Sequence, residues 1–189
     1  MLSFGGLGSI LLALSALVLA GSRVWVADDA YITFRHINQF LAGNGLTYNT
    51  IERVEGFTHP LWAVLLCIFG GLGAPLPGAA VTMDLLCAAL LLAAVSLSER
   101  DLGPLSVALL VSCSGFIDFA TSGLETPMTM LFIYAAYRTT SVLESPGRVG
   151  VVLGLAYLCH PDVAVLALGP ILLILLEARA RGFKESRAA

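Results

Sequence analysis

AAVTMDLLCAALLLAAVSLS, residues 79–98, is an apolar run interrupted by one charge, Asp84. A helix needs about 20 apolar residues to cross a hydrocarbon layer, and this run has that length. Similar runs flank it: Phe4–Ala20 before, then Pro104–Ile117, Pro127–Tyr137 and Val149–Leu176 after. Proline and glycine mark the joints at Gly73-Ala74-Pro75, Gly103-Pro104 and Pro146-Gly147, as expected between helices. The 189 residues are 58% hydrophobic and 12% charged, with mean hydropathy +0.89. A soluble domain carries about 25% charged residues. Half that charge cannot coat a globule of this size, so the composition excludes a soluble domain and a disordered chain. A net charge of −3 offers no basic footprint for nucleic acid. The expected fold is all-α, a polytopic transmembrane helical bundle.

Charge sets the expected topology. Pro60–Leu72 is too short to span, which leaves residues 22–77 as one external loop. Arg100, Arg138, Arg148, Arg179, Arg181, Lys184 and Arg187 then lie inside, seven of the ten basic residues, as the positive-inside rule asks. If Pro60–Leu72 did span, every later segment would flip and the basic tail would face outward. The expected spans are about 4–21, 78–98, 104–119, 127–142, 149–160 and 163–178. They form one module over residues 1–178, with a basic cytoplasmic tail at 179–189. The external loop carries helices at about 28–42 and 60–72, the second lying at the membrane interface with Trp62. The first span has no Lys or Arg before it, so it reads as a retained anchor rather than a cleaved signal. The last run is broken at Pro161, and short helices on each side would return the chain to the inner face.

This topology gathers the unusual polar residues on the external side. The long loop holds Asp28, Asp29, Glu52, Arg53, Glu55 and His59; the next external turn holds Glu125; the broken helix adds His160 and Asp162. Polar groups near or within membrane segments are costly and tend to mark function. Tyr31, Phe34, Ile37, Phe40 and Leu41 recur at helical spacing after Asp28-Asp29, giving an amphipathic helix with Arg35 and His36 on its solvated face. One Asp satisfies a helix N-cap; two adjacent ones leave a carboxylate for chemistry, as general base or metal ligand. Glu125 precedes Thr126-Pro127, where Thr126 suits an N-cap and Pro127 the first turn. Asp84 reads equally as a residue snorkelling to the interface or as one with a partner inside the bundle. The four cysteines lie in apolar segments without metal-ligand spacing and read as small hydrophobes.

DDAYITFRHINQFLAGNGLTYN (28–49), ERVEGFTHPLW (52–62), SGLETP (122–127) and HPD (160–162) together resemble the GT-C class of membrane glycosyltransferases. The nearest resemblance is to the terminal arabinofuranosyltransferases of mycobacterial cell-wall synthesis and their bacterial relatives. It runs from about Val24 to Leu176. It implies a GT-C-like N-terminal module in a bacterial plasma membrane, with its active side external. It implies inverting transfer of a sugar, such as a pentofuranose, from a polyprenyl-phosphate donor to a cell-envelope glycan or lipid acceptor. Asp28-Asp29 match the family's acidic motif, and Glu125 matches the acidic position of its second external loop. His160-Pro161-Asp162 match a motif that often carries Arg before Pro. The His here makes charge at that position depend on pH.

The chemistry agrees with these residue types. A carboxylate can take the acceptor hydroxyl proton; Asp28 is favoured over Asp29 for that role, although the sequence does not separate them. Asp29 and Glu125 could hold Mg²⁺ or Mn²⁺ through oxygen ligands. Arg53 or His160 could meet the donor phosphate, with Glu55, His59 and Asp162 completing the substrate-binding set. Family members are much longer. The alternative expectation is therefore a truncated, non-catalytic membrane subunit that binds polyprenyl-phosphate lipid or a partner transferase supplying further helices. A small transporter, suggested by Asp84 and the broken helix, is disfavoured because no internal repeat accompanies them.

Overall fold

The computed structural model describes residues 4–51, 54, 56–98, 103–141, 146–165, and 168, 169, 171, 172, 175, 176 and 179. Among the described residues, eight helices with defined limits follow in order: α1 (Phe4–Ser22), α2 (Asp28–Leu41), α3 (Pro60–Gly71), α4 (Leu76–Ser98), α5 (Gly103–Ser112), α6 (Ser114–Phe119), α7 (Thr126–Ser141) and α8 (Pro146–Cys159). Among the described residues there is no strand, so the all-α expectation is met. One described helix, over Leu76–Leu97, is long and apolar enough to cross a membrane by length and composition.

Local sequence explains most boundaries. Pro60 opens α3, where its missing N–H costs nothing. Gly43 and Gly45 follow α2 with φ of 83° and 82°, a backbone region that glycine enters freely. Pro161 lies just beyond the end of α8, and helical backbone resumes at Val163, so the expected break is present. The expected helix over 104–119 is in fact two. Cys113 has φ −80° and ψ 110° between α5 and α6, an interruption that no proline or glycine at that position announces. Within the expected segment 163–178, residues 163–165, 168, 169, 171, 172, 175 and 176 are described and are helical; of the tail 179–189, all but Arg179 lies outside the described residues.

Helix α4 runs through two cores. Its later half (Ala88, Leu91, Leu92, Val95) packs with Ala13, Ala16 and Ala20 of α1, Val107 of α5 and Phe116 of α6. The alanines of α1 let these helices approach closely. Its first turns (Leu76, Ala80) pack with Phe34 and Ile37 of α2, Trp62 and Leu66 of α3, and Met128 of α7. The second core roofs one end of the molecule with α2 and α3.

Two expectations for this roof are corrected. Phe34 and Ile37 of α2 are buried, but Tyr31, Phe40 and Leu41 are exposed while Thr33 and His36 are buried. His36 is therefore not solvated. Its ring meets the carbonyls of Ile32 (2.8 Å) and Val54 (3.1 Å), because Tyr48, Val54, Gly56 and Phe57 lie over that side of α2. Gly56 abuts the imidazole so closely that any side chain there would overlap it. Trp62 is likewise fully buried rather than interfacial, since its indole is drawn to a backbone carbonyl of the 121–125 turn.

Candidate active site

The site is organised by the turn Thr121-Ser122-Gly123-Leu124-Glu125, which joins α6 to α7. Three helices hold it. The backbone N–H of Gly123 donates to Asp84 Oδ2 of α4 at 2.7 Å. The indole N–H of Trp62 on α3 donates to the Gly123 carbonyl at 3.2 Å. The Ala27 N–H, at the start of α2, donates to the Ser122 carbonyl at 2.8 Å. Gly123 has φ 77°, and a Cβ there would lie 3.1 Å from Val26 and 3.3 Å from Ala30. Glycine thus answers both the conformation and the close approach of α2. Nearby, the Trp25 indole donates to the Asp118 carbonyl at 2.7 Å, securing the chain before α2 to the end of α6.

The clamped turn delivers Glu125 to two imidazoles. Glu125 Oε1 lies 2.8 Å from His160 Nδ1, and Oε2 lies 3.1 Å from His59 Nδ1. The His59 contact lacks hydrogen-bond alignment, and Oε2 is buried with no hydrogen-bond partner. His59 Nε2 meets Thr33 Oγ1 of α2 at 2.9 Å, and His160 Nε2 meets exposed Asp162 at 3.1 Å. Helix α7 starts one residue earlier than expected, at Thr126. The Glu125 carbonyl accepts the Thr129 N–H at 2.9 Å, while its carboxylate points to the histidines.

The two histidines differ electrostatically. Burial lowers the pKa of His59, with Glu125 opposing and His160 reinforcing that shift. At His160, burial also disfavours charge, but Glu125 and Asp162 together outweigh it and raise its pKa. One cavity of about 550 Å³ is bordered by Asp29, Gly56, Phe57, His59, Glu125 and His160, a size typical of small-molecule sites.

Four candidate residues, Asp29, His59, Glu125 and His160, therefore border one cavity. Asp162 is attached to its edge through His160. Asp28 turns to the other side of α2, where it borders a groove with Tyr31, Arg35 and Tyr48. Neither carboxylate caps α2, whose N-cap is Ala27 with no side-chain hydrogen bond. Arg53 and Glu55 lie outside the described residues. Sequence reasoning left the role of Asp84 open and missed Trp62 as a hydrogen-bond donor. A lone carboxylate inside an apolar helix was the available signal for Asp84.

Among the described residues, no group of three or more His, Cys, Asp or Glu side chains is arranged to hold a metal ion. The orphaned Glu125 Oε2 and the Asp29 carboxylate on the same cavity do fit a cation that takes its other ligands from water and substrate phosphate, as Mg²⁺ commonly does. They do not amount to a protein-only cage.

The chain is similar to two curated proteins named terminal beta-(1->2)-arabinofuranosyltransferase. It is 29% identical to that of Mycobacterium tuberculosis over 182 residues, covering 83% of this chain and 29% of the relative. It is 31% identical to that of Corynebacterium glutamicum over 121 residues, covering 59% of this chain and 18% of the relative. The resemblance carried by the motifs is thus found along most of the sequence, and the chain is related to the terminal arabinofuranosyltransferases. It spans less than a third of the length of these relatives. No family model and no solved structure matches it significantly.

Proposed function

We propose that this chain carries the reacting centre of a membrane glycosyltransferase. It transfers a sugar, a pentofuranose such as arabinose, from a polyprenyl-phosphate donor to a cell-envelope glycan or lipid acceptor on the outer face of a bacterial plasma membrane. The observation that carries this reading is the cavity itself. Four sequence-distant motifs contribute Asp29, His59, Glu125 and His160 to it, with Asp28 adjacent on the same helix.

The membrane reading draws support from exposed apolar surface. Leu86, Leu90 and Leu97 of α4 are 57%, 57% and 69% exposed, and only 33% of the most apolar stretch of α4 is buried inside the protein. In water such surface would drive aggregation; in lipid it is solvated. With α1, α4, α5–α6, α7, α8 and the segment after it crossing or entering the bilayer, the basic connections fall inside. The α2–α3 roof and the His160 turn then fall outside.

In the proposed reaction, the acceptor hydroxyl oxygen attacks the anomeric carbon from the face opposite the phosphate. The bond from that carbon to the phosphate oxygen breaks, and its electron pair stays on polyprenyl phosphate. The hydroxyl proton goes to a carboxylate. We assign that role to the Asp28-Asp29 pair, of which Asp29 borders the cavity and Asp28 the adjoining groove, and the donor side to Glu125 and His160. His160, its charge favoured by two carboxylates, supplies positive charge to the leaving phosphate. Buried His59, its charge disfavoured by desolvation, is tied to Thr33 through Nε2 and lies beside Glu125 Oε2. A divalent cation held by Asp29 and Glu125 would add charge stabilisation to the leaving phosphate.

The test is transfer from labelled polyprenyl-phosphate sugars by the purified chain in lipid, with and without Mg²⁺ or Mn²⁺. Asp28→Ala plus Asp29→Ala should abolish transfer while leaving membrane insertion intact, and retained transfer would refute the assignment. A second reading is a non-catalytic membrane subunit that binds polyprenyl-phosphate lipid or a partner transferase. Lipid binding without turnover, together with co-purification of a longer transferase, would support that reading.

A further inference from the structure

We infer that the groove on the exposed side of α2 binds the glycan chain of the acceptor and leads it to the reacting cavity; this rests on the glycosyltransferase reading above. Helix α2 divides two concavities. One is the cavity of Asp29, Glu125 and His160. The other is a groove of about 550 Å³ bordered by Asp28, Tyr31, Arg35, Asn38, Gln39 and Tyr48. Past Gln39 it continues into a hollow of about 380 Å³ that also borders Asn49 and Thr50. Ile32 borders both the groove and the cavity. The groove therefore opens beside the reacting cavity, with Asp28 and Asp29 on opposite sides of the ridge between them.

The lining matches an uncharged polyhydroxyl chain. Arg35 is partly committed: Nε donates to the Tyr48 carbonyl at 2.8 Å, Nη2 donates to Asn49 Oδ1 at 3.1 Å, and the guanidinium lies 4.8 Å from the centre of the Tyr48 ring. These contacts hold the 48–49 loop against α2 and so preform the groove. Asn44 donates to Gln39 Oε1 at 2.7 Å, which fixes the orientation of that amide. What faces a ligand is then amides, the Asp28 carboxylate, the remaining Arg35 N–H groups and the amphipathic rings of Tyr31 and Tyr48, with apolar surface from Ile32, Phe34 and Ile51 between them. Amide donors and acceptors pair with sugar hydroxyls, and aromatic faces take the C–H faces of sugar rings. Two of the five Arg35 N–H donors are used in these contacts, and Asp28 on the same lining offsets the guanidinium charge, so the groove offers a phosphate no net positive charge. The groove thus suits the acceptor glycan, and the phosphate-bearing donor is left to the His160 side.

The experiment is saturation-transfer NMR of the whole chain in nanodiscs with an arabinofuranose hexasaccharide and with the monosaccharide methyl arabinofuranoside, alongside transfer from a labelled polyprenyl-phosphate sugar to that monosaccharide, which supplies the attacking hydroxyl without filling the groove. Wild type should bind the hexasaccharide more tightly than the monosaccharide. Asn38→Ala combined with Gln39→Ala, both on the open side of α2, should weaken binding at least tenfold, whereas Glu125→Gln should bind as wild type does. No binding by wild type, unchanged binding by the double variant, or equal loss in Glu125→Gln would each overturn the groove assignment. Donor consumption reports on the transferase reading separately. Donor turnover without hexasaccharide binding would remove the groove alone; groove-dependent binding without donor turnover would keep the groove and remove the transferase.

Discussion

Asp84 interrupts the apolar helix α4 and uses one oxygen to hold the Gly123 N–H. Replacing it with Ala leaves that buried N–H without an acceptor, at a cost of about 1–3 kcal/mol. Asp84→Asn keeps an acceptor oxygen and should retain most of the stability. Thermal unfolding in detergent should separate the two variants, and equal melting would argue against the clamp. Gly123→Ala forces a side chain into left-handed backbone, at roughly 1–2 kcal/mol, in addition to the crowding against α2. The histidines impose opposite pH limits around the ordinary value of 6.5. His160 has a raised pKa, so its contribution is complete below pH 6.5 and is lost as pH rises through the folded value. His59 has a lowered pKa, so its contribution is present above pH 6.5 and is lost as pH falls toward the folded value. Transfer should therefore decline on both sides. His160→Gln should remove the alkaline decline and keep the acid one; a profile unchanged in that variant would contradict the assigned charge.

At the scale of elements, α3 acts as the wedge that joins roof to bundle. Trp62→Phe loses the bond to the Gly123 carbonyl and should cost about 0.5–1.5 kcal/mol; Trp62→Ala also empties the core and should cost about 3–5 kcal/mol. Denaturation of both variants in one detergent checks that order. Most of these elements were legible in the sequence, because apolar runs bounded by Gly and Pro leave little choice. The observed α2, α3, α4 and α7 fall within about two residues of their expected limits. The burial of His36 was not legible, since the loop that covers it returns from 18 residues downstream. Periodicity within α2 cannot register such a lid. The break at Cys113 has no local breaker either. The acidic motifs could be found one at a time. Their convergence on one cavity depended on an Asp84–Gly123 contact spanning 39 residues, which no local pattern encodes.

At the scale of the whole molecule, the two cores divide the labour. The α1–α4–α5–α6 core is alanine-rich and small-residue packed, whereas the core beneath α2 and α3 carries the aromatic residues that support the site. The membrane orientation proposed above puts that second end outside. Asn44→Cys, in the turn after α2, should then react with an impermeant maleimide in intact cells; labelling only after permeabilisation would reverse the orientation. The central claim is that the Glu125–His160 cavity is a glycosyl-transfer centre. The most direct measurement is single-turnover transfer from a labelled polyprenyl-phosphate sugar in nanodiscs, with the anomeric configuration of the product read by NMR. The account predicts an inverted product that is lost in a folded Glu125→Gln variant. A retained configuration, or an unchanged rate in that variant, would contradict it.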